Sequence, residues 1–305
     1  MKKLFLLIIL AASFSAVSAQ EEAIFTHYHI SPILINAGAA GFNEAYELQA
    51  NARIAWTGFP DAPKNYGAVF NGPLGKTFGI GLGIFSEQAA QLNRLKVQLN
   101  YAFRFNIREN VKLSAGFATE FQRMQLDNSV MNSDFFQAGD QLLEDIINGK
   151  GVFDASIGLY GTFMENTFAG LSFNNLVRSR LDDIVNTDQK ESFFSYYTFL
   201  AGHKFEVYDL GITFEPSLMV RSLRDTPQQF DINLKAGFLQ EQLIAGLSYR
   251  SLGSAGLLLG TKMPAFHLYY SYDISFQRFQ KFSTGTHEVT LALSFKKKEK
   301  PIKGY

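Results

Sequence analysis

Leu95-Lys96-Val97-Gln98-Leu99-Asn100-Tyr101-Ala102-Phe103-Arg104-Phe105 alternates without a break. Leu, Val, Tyr and Phe take the odd positions, and Lys, Gln, Asn, Ala and Arg the even ones. Side chains of a strand point to opposite faces in turn, so this stretch is a strand with one apolar and one polar face. It is longer than a common soluble strand of about 5 or 6 residues. It suits a tilted crossing of a bilayer, which takes about 9 to 11.

The same period recurs along the chain. Phe230-Ile232-Leu234-Ala236-Phe238 alternates with Gln229-Asp231-Asn233-Lys235-Gly237. Val289-Leu291-Leu293-Phe295 and Tyr46-Leu48-Ala50-Ala52-Ile54-Trp56 behave alike. Strands are expected from near Glu44, Asn65, Lys76, Leu92, Val111, Gly151, Asn166, Ser192, Asp209, Gln228, Gln242, Ser254, Ala265 and Thr286. About fourteen strands is an even number, as in single-chain bacterial outer-membrane barrels. The expected fold class is therefore all-β: a transmembrane antiparallel β-barrel of the bacterial outer membrane.

Connections sort by length. Gly72–Gly75, Asn106–Asn110, Met164–Asn166, Val207–Tyr208, Leu239–Glu241 and Met263–Pro264 read as short turns. Leu126–Lys150 and Asn175–Glu191 are long and polar, and both fall at the same end. Short turns face the periplasm and long loops the exterior in such barrels, so both termini are expected in the periplasm.

The N-terminus reads as an export signal. Met1-Lys2-Lys3 is basic, Leu4 to Ala12 is apolar, and Val17-Ser18-Ala19 supplies small residues for cleavage after Ala19. Four segments follow: a signal peptide at 1–19, a periplasmic or lumen segment at 20–43, the barrel at 44–295, and a basic periplasmic tail at 296–305. The chain has no cysteine, which argues against a lipoprotein anchor. A closed barrel satisfies its own hydrogen-bond ladder and has no need of disulfides. With 28 basic and 28 acidic residues the formal net charge is +0. Nothing in that balance suggests nucleic acid as a partner.

Candidate chemistry is sparse. There is no G-x-S-x-G nucleophile turn. His27 and His29 form an H-x-H pair that would need further ligands to hold a metal. His203, His267 and His287 are scattered over different strands. Asp140, Glu144 and Asp145 read as a solvated loop segment. The run Gly79-x-Gly81-x-Gly83 lacks the strand-then-helix setting of a phosphate loop. It reads as a strand with a small-residue face, which kinks the wall or admits a plug or ligand. No catalytic residue, cofactor or metal is expected.

Four segments, in order, resemble the PorP/SprF family of type IX secretion membrane proteins. Phe25-Thr26-His27-Tyr28, with Ser31-Pro32-Ile33-Leu34-Ile35-Asn36 and Ala40-Gly41, resembles the family's opening. Arg53-Ile54-Ala55-Trp56-Thr57-Gly58, with Ala62-Pro63-Lys64, resembles its R-x-x-W-x-G signature. Gly170-Leu171-Ser172-Phe173-Asn174-Asn175-Leu176 resembles a mid-chain element. Tyr272-Asp273 with Gly285-Thr286-His287-Glu288-Val289 resembles the closing one. Asn36-Ala37-Gly38 departs from the family's Asn-Pro-Ala.

The resemblance implies a non-enzymatic accessory component of type IX secretion in gliding or pathogenic bacteria. Its implied partners are the secretion machinery, a secreted adhesin-like cargo and outer-membrane lipid. A small-solute channel and an outer-membrane hydrolase are the competing readings. Closure pairs the first and last strands, so Arg53, Trp56, Gly58, Pro63 and Lys64 are expected to meet Gly285, Thr286, His287 and Glu288 at the outer rim. There they serve barrel closure or contact a partner.

Overall fold

In a computed structural model of the chain, residues 25–127, 146–177, 196–223, 227–277 and 282–296 are described. The export signal, the Asp140–Asp145 acidic cluster, the strand start at Ser192 and the lysine tail beyond Lys296 lie outside these residues.

The wall consists of β1 (Ala45–Ile54), β2 (Lys64–Leu74), β3 (Phe78–Ala89), β4 (Leu92–Arg108), β5 (Val111–Leu126), β6 (Lys150–Phe163), β7 (Thr167–Phe173), β8 (Tyr197–His203) and β9 (Phe205–Val207). It continues through β10 (Ile212–Ser222), β11 (Gln229–Phe238), β12 (Leu243–Arg250), β13 (Ser254–Lys262), β14 (Phe266–Ser275) and β15 (Thr286–Lys296). Segments β8 and β9 both pair with β10 and are two pieces of one strand interrupted at Lys204. Neighbours pair antiparallel all the way round. β15 and β1 close the ring in unbroken register, from Ala45 opposite Lys296 to Ile54 opposite His287. This is a closed antiparallel barrel of fourteen strands. Closure leaves no strand edge, the condition for a sheet to exist in lipid.

The period-two pattern has a direct spatial meaning. On β4, Leu95, Leu99, Tyr101, Phe103 and Phe105 are exposed on the outer surface, whereas Gln98, Asn100 and Ala102 are buried inside. Apolar residues out and polar residues in is the inverse of a soluble protein, and it matches lipid outside. Observed strand starts fall within about three residues of those read from the sequence, apart from the one outside the described residues. β4 and β5 are longer than expected, at 17 and 16 residues.

The two ends differ. At one, β2–β3, β4–β5, β6–β7, β9–β10, β11–β12 and β13–β14 are joined by two to four residues. The other carries all the longer connections, including 127–149 and 174–196. β1 starts, and β15 stops, at the short-turn end.

One short turn is held electrostatically. Leu239, Gln240 and Glu241 have successive positive φ values of 52°, 58° and 65°, a region costly for residues with a Cβ. Glu241 receives Lys262 Nζ at 2.9 Å and Lys204 Nζ at 3.3 Å. Burial alone would raise the Glu241 pKa, but the hydrogen bonds and charges of Lys262 and Lys204 outweigh it and hold it at about 2.

Two outcomes follow. Leu99→Arg places a cation on the lipid face near mid-strand and should cost about 2–4 kcal/mol in denaturant titrations of the vesicle-embedded barrel, whereas Asn100→Ser should cost much less. Glu241→Gln should cost about 1 kcal/mol near pH 7. A depressed carboxylate pKa stabilises above the ordinary value of 4.5 and stops doing so as pH falls through about 2, so wild type and variant should converge there.

Candidate functional site: the plugged lumen and its seam

Inside the wall runs the segment before β1. Residues Phe25 to Phe42 form three short 3₁₀ turns, Thr26–His29, Pro32–Leu34 and Ala37–Ala39. His27, Tyr28, Ile33, Ala37 and Ala40 are all buried. Pro32 opens the second turn and Asn36 caps the third, its side chain accepting from the Gly38 N–H at 2.8 Å. Eight backbone bonds within the segment close these turns, and side chains of the wall take several of the remaining N–H and C=O groups.

Its second half docks backbone to backbone. The run Ala37-Gly38-Ala39-Ala40-Gly41 lies against inward-facing glycines. A Cβ on Gly79 would collide with the Ala40 carbonyl, and one on Gly116 with the Ala37–Gly38 peptide. The small-residue face of β3 thus admits a plug, one of the two uses its sequence allowed. Polar pins fix the register. Asn36 Nδ2 donates to the Leu159 carbonyl at 2.9 Å, Ser172 Oγ to the Ile35 carbonyl at 2.9 Å, and Arg104 Nη1 to the Gly41 carbonyl at 2.6 Å.

Its first half is held by charge. Glu288, fully buried on β15, accepts from the backbone N–H of Thr26 at 2.7 Å and of His27 at 3.2 Å, and from the Thr26 hydroxyl at 2.9 Å. His27 Nδ1 lies 2.7 Å from Thr290 Oγ1 and 3.3 Å from Glu288 Oε1. Arg53 on β1, the register partner of Glu288, reaches it at 3.3 Å and Asp273 at 3.5 Å. Asp273 pairs with Arg250 at 2.9 Å, and Arg250 Nε lies 3.6 Å from Asp231. Asp231 accepts from the Tyr28 hydroxyl at 3.1 Å, which itself accepts from Asn233 at 3.0 Å. A chain of alternating charges thus crosses β1, β15, β14, β12 and β11 and meets the plug at both ends. In this buried setting each member depends on its neighbours, because a buried charge left alone is costly.

The expected rim residues divide. Arg53 and Glu288 join inside the lumen. Trp56 N donates to Thr286 Oγ1 at 3.1 Å, and Thr57 exchanges backbone bonds with Gly285 and Thr284, so the two signatures do meet at the seam. Gly58 has φ 104°, and a Cβ there would press on the Phe282 carbonyl. The Pro63 carbonyl accepts from Ala55 N at 2.8 Å and squares off the loop between β1 and β2. His287 points to the outer surface, where Nδ1 lies 2.8 Å from the Tyr270 hydroxyl. Lys64 is exposed at the start of β2. Neither joins the buried network. Arg250 and Asp231 belong to it with Tyr28 of the opening motif, yet nothing in the local sequence of Arg250 or Asp231 sets them apart from other inward polar positions.

Two cavities lie beside the plug. A cavity of about 10 Å³, the room of a single water, lies beside His27, His29, Ser271 and Arg250. Another of about 120 Å³ lies toward the long-loop end, between Phe25 and Leu34 of the plug and Phe85, Gln98, Glu120 and Thr198 of the wall.

The family model for the type IX secretion system membrane protein PorP/SprF matches residues 17–293. The chain belongs to the PorP/SprF family. Each segment that carries the resemblance supplies the plug or the wall that holds it: Thr26, His27 and Tyr28 lie in the plug, Ser172 and Glu288 bond to it, and Arg53 and Asp273 join the charged network around Glu288. Among solved structures, the fold is similar to the Acinetobacter baumannii outer membrane protein Omp33. The TM-score is 0.50 at 7% identity, covering 84% of this chain and 99% of that one. It is also similar to the Pseudomonas putida toluene transporter TodX, with TM-score 0.52 at 9% identity, covering 90% and 95%. At such identities the likeness concerns the barrel alone. A search of curated proteins finds no match. This PorP/SprF protein is an integral outer-membrane barrel and a type IX secretion membrane component, and that membership points to no enzymatic activity.

Glu288→Ala strips the carboxylate from two plug N–H groups and from Arg53. It should cost about 3 kcal/mol or more and make the segment around Thr26–Tyr28 protease-sensitive in the reconstituted barrel, while Lys64→Ala should change neither.

Proposed function

We propose that this barrel is a non-enzymatic accessory subunit of type IX secretion, assisting the export or surface attachment of an adhesin-like cargo protein. The long-loop end faces the exterior and meets the cargo, and the short-turn end faces the periplasm and the machinery. The observation that carries this reading is the filled lumen. A passage for solutes needs a continuous polar void, whereas here the polar inner wall is spent on holding the chain's own plug. Burial of Gln49, Asn51, Gln98, Asn100 and Asn233 supports the view that lumen polarity serves packing.

The test is a comparison of surface and medium proteomes between the parent cell and a clean deletion. Loss or shedding of one large surface protein is the outcome expected of a cargo-dedicated partner, and loss of many cargos together that of a core component. An unchanged secretome overturns the reading. The channel reading is tested separately in planar bilayers: the wild-type barrel should be silent, and Gly79→Leu with Gly116→Leu, which forces the plug off the wall, should conduct. Steady wild-type current would count against a closed lumen.

A further inference from the structure

Two signature residues, Lys64 and His287, take no part in holding the plug, and the ladder brings them together on the other face of the wall. His287 is the register partner of Ile54, and Ile54 is in turn the partner of Lys64. Tyr272 pairs with His287, and Gln88 with Lys64. Register partners share a face. Tyr272, His287, Ile54, Lys64 and Gln88 therefore form one row across β14, β15, β1, β2 and β3, on the outside of the barrel at its long-loop end. Aromatic side chains mark this level: Trp56, Tyr66 and Tyr270 are exposed around the row. Such residues settle where hydrocarbon gives way to headgroups. Strand alternation turns the carboxylates of these strands, Glu47, Glu87, Asp273 and Glu288, toward the lumen. There Arg94 pairs with Glu87, and Arg53 with Asp273 and Glu288. Asp61 lies in the loop between β1 and β2. The outer row thus carries a cation with no carboxylate of these strands on its own face.

Lys64 and His287 stand about 10 Å apart, two strand spacings, with Ile54 between them. The flexible lysine stem and the imidazole can close on one anion above that residue. The Tyr270 hydroxyl lies 2.8 Å from His287 Nδ1, and the Tyr272 ring centroid 5.1 Å from that of His287. Both position the imidazole. A hydroxyl that donates to Nδ1 leaves the ring proton on Nε2, where it can be given to an acceptor. Below Ile54 the outward side chains shrink to Ala50, Ala52 and Ala68, between Val289 and Leu291 on one flank and Ile84 on the other. From this geometry we propose a lipid site: Lys64 and His287 bind the phosphate headgroup of a membrane lipid whose acyl chain lies in the alanine trough below. A free phosphate would gain nothing from the trough, so the occupant is the lipid. That this lipid belongs to the outer leaflet rests on the orientation proposed above.

Trp56 is the sole tryptophan of the chain and follows Ile54 by two positions, so its fluorescence reports the lipid at this site. The full barrel is reconstituted in phosphatidylcholine vesicles that contain, at equal mole fraction, either phosphatidic acid or phosphatidylcholine brominated high on the acyl chains. Bromine quenching of Trp56 then gives the relative affinity. Wild type should select phosphatidic acid over phosphatidylcholine about fivefold, the effect of a single cation near a membrane surface. Lys64→Gln and His287→Gln should each move that ratio toward one, with heat-modifiable mobility showing that both barrels are folded. Equal quenching by the two lipids in wild type, or a preference that either folded variant retains in full, overturns the site. Inorganic phosphate added at constant ionic strength should leave the ratio unchanged. A ratio that collapses on its addition makes free phosphate the ligand and overturns the lipid assignment. Both leaflets carry the probe, so the outcome is independent of which end of the barrel faces the exterior, and a reversed orientation would move the site to the other leaflet without abolishing it.

Discussion

Glu288 has no solvent to turn to, and its carboxylate is shared by three parts of the molecule that are distant in sequence. It takes the N–H groups of Thr26 and His27 from the plug, the guanidinium of Arg53 from the first strand, and it is itself carried by the last. Removing water makes each of these contacts strong and makes the absence of any one expensive. The seam and the plug are therefore one problem with one solution. Where β1 meets β15 the wall is closed by backbone bonds, and the same two residues that face each other there hold the segment that occupies the interior.

The lower half of the lumen solves the opposite problem by opposite means. Around Ala37 to Gly41 there are few charges, and contact is made by removing side chains from both surfaces. Gly79 and Gly116 bring wall backbone against plug backbone, where a single methyl group would intrude. Charge specifies the upper anchor and shape the lower one. Between them the plug cannot slip by a residue, because a slip would misalign the Glu288 contacts and drive alanine methyl groups into the wall.

Sequence reading recovered the wall because lipid outside and polar groups inside impose a strict period of two, visible in any strand taken alone. Closure obliges first and last strands to pair, so the meeting of the two signatures was legible, but Arg53 and Glu288 join inside the lumen and not at the outer rim where they were expected. Sequence reading recovered less of the interior. The plug consists of three one-turn helices, too short to leave any period. Arg250 and Asp231 look like other inward polar residues, and only the folded ring shows that they continue the chain from Arg53 to Tyr28. His287 illustrates the opposite error: beside Glu288 in the motif, it sits on the other face, as strand alternation requires. The end of β4 was displaced, running to Arg108 where a turn was expected from Asn106, and the break between β8 and β9 at Lys204 left no distinct mark in the sequence.

The Thr26–Glu288 contact joins residues 262 positions apart, nearly the whole span of the folded chain. Contacts of such separation form late, since a very large loop must be closed before they return any stabilisation. The plug is the first part of the barrel domain to leave the ribosome, yet its upper anchor arrives with the last strand. A chain cut short between β5 and β15 would possess the glycine cradle but not the carboxylate, leaving Arg53 as a cation without its register partner and the ring open. Completion of the lumen is thus a length check: only a chain that reaches β15 gains both the closed ladder and the fully anchored plug, and an incomplete one retains exposed strand edges.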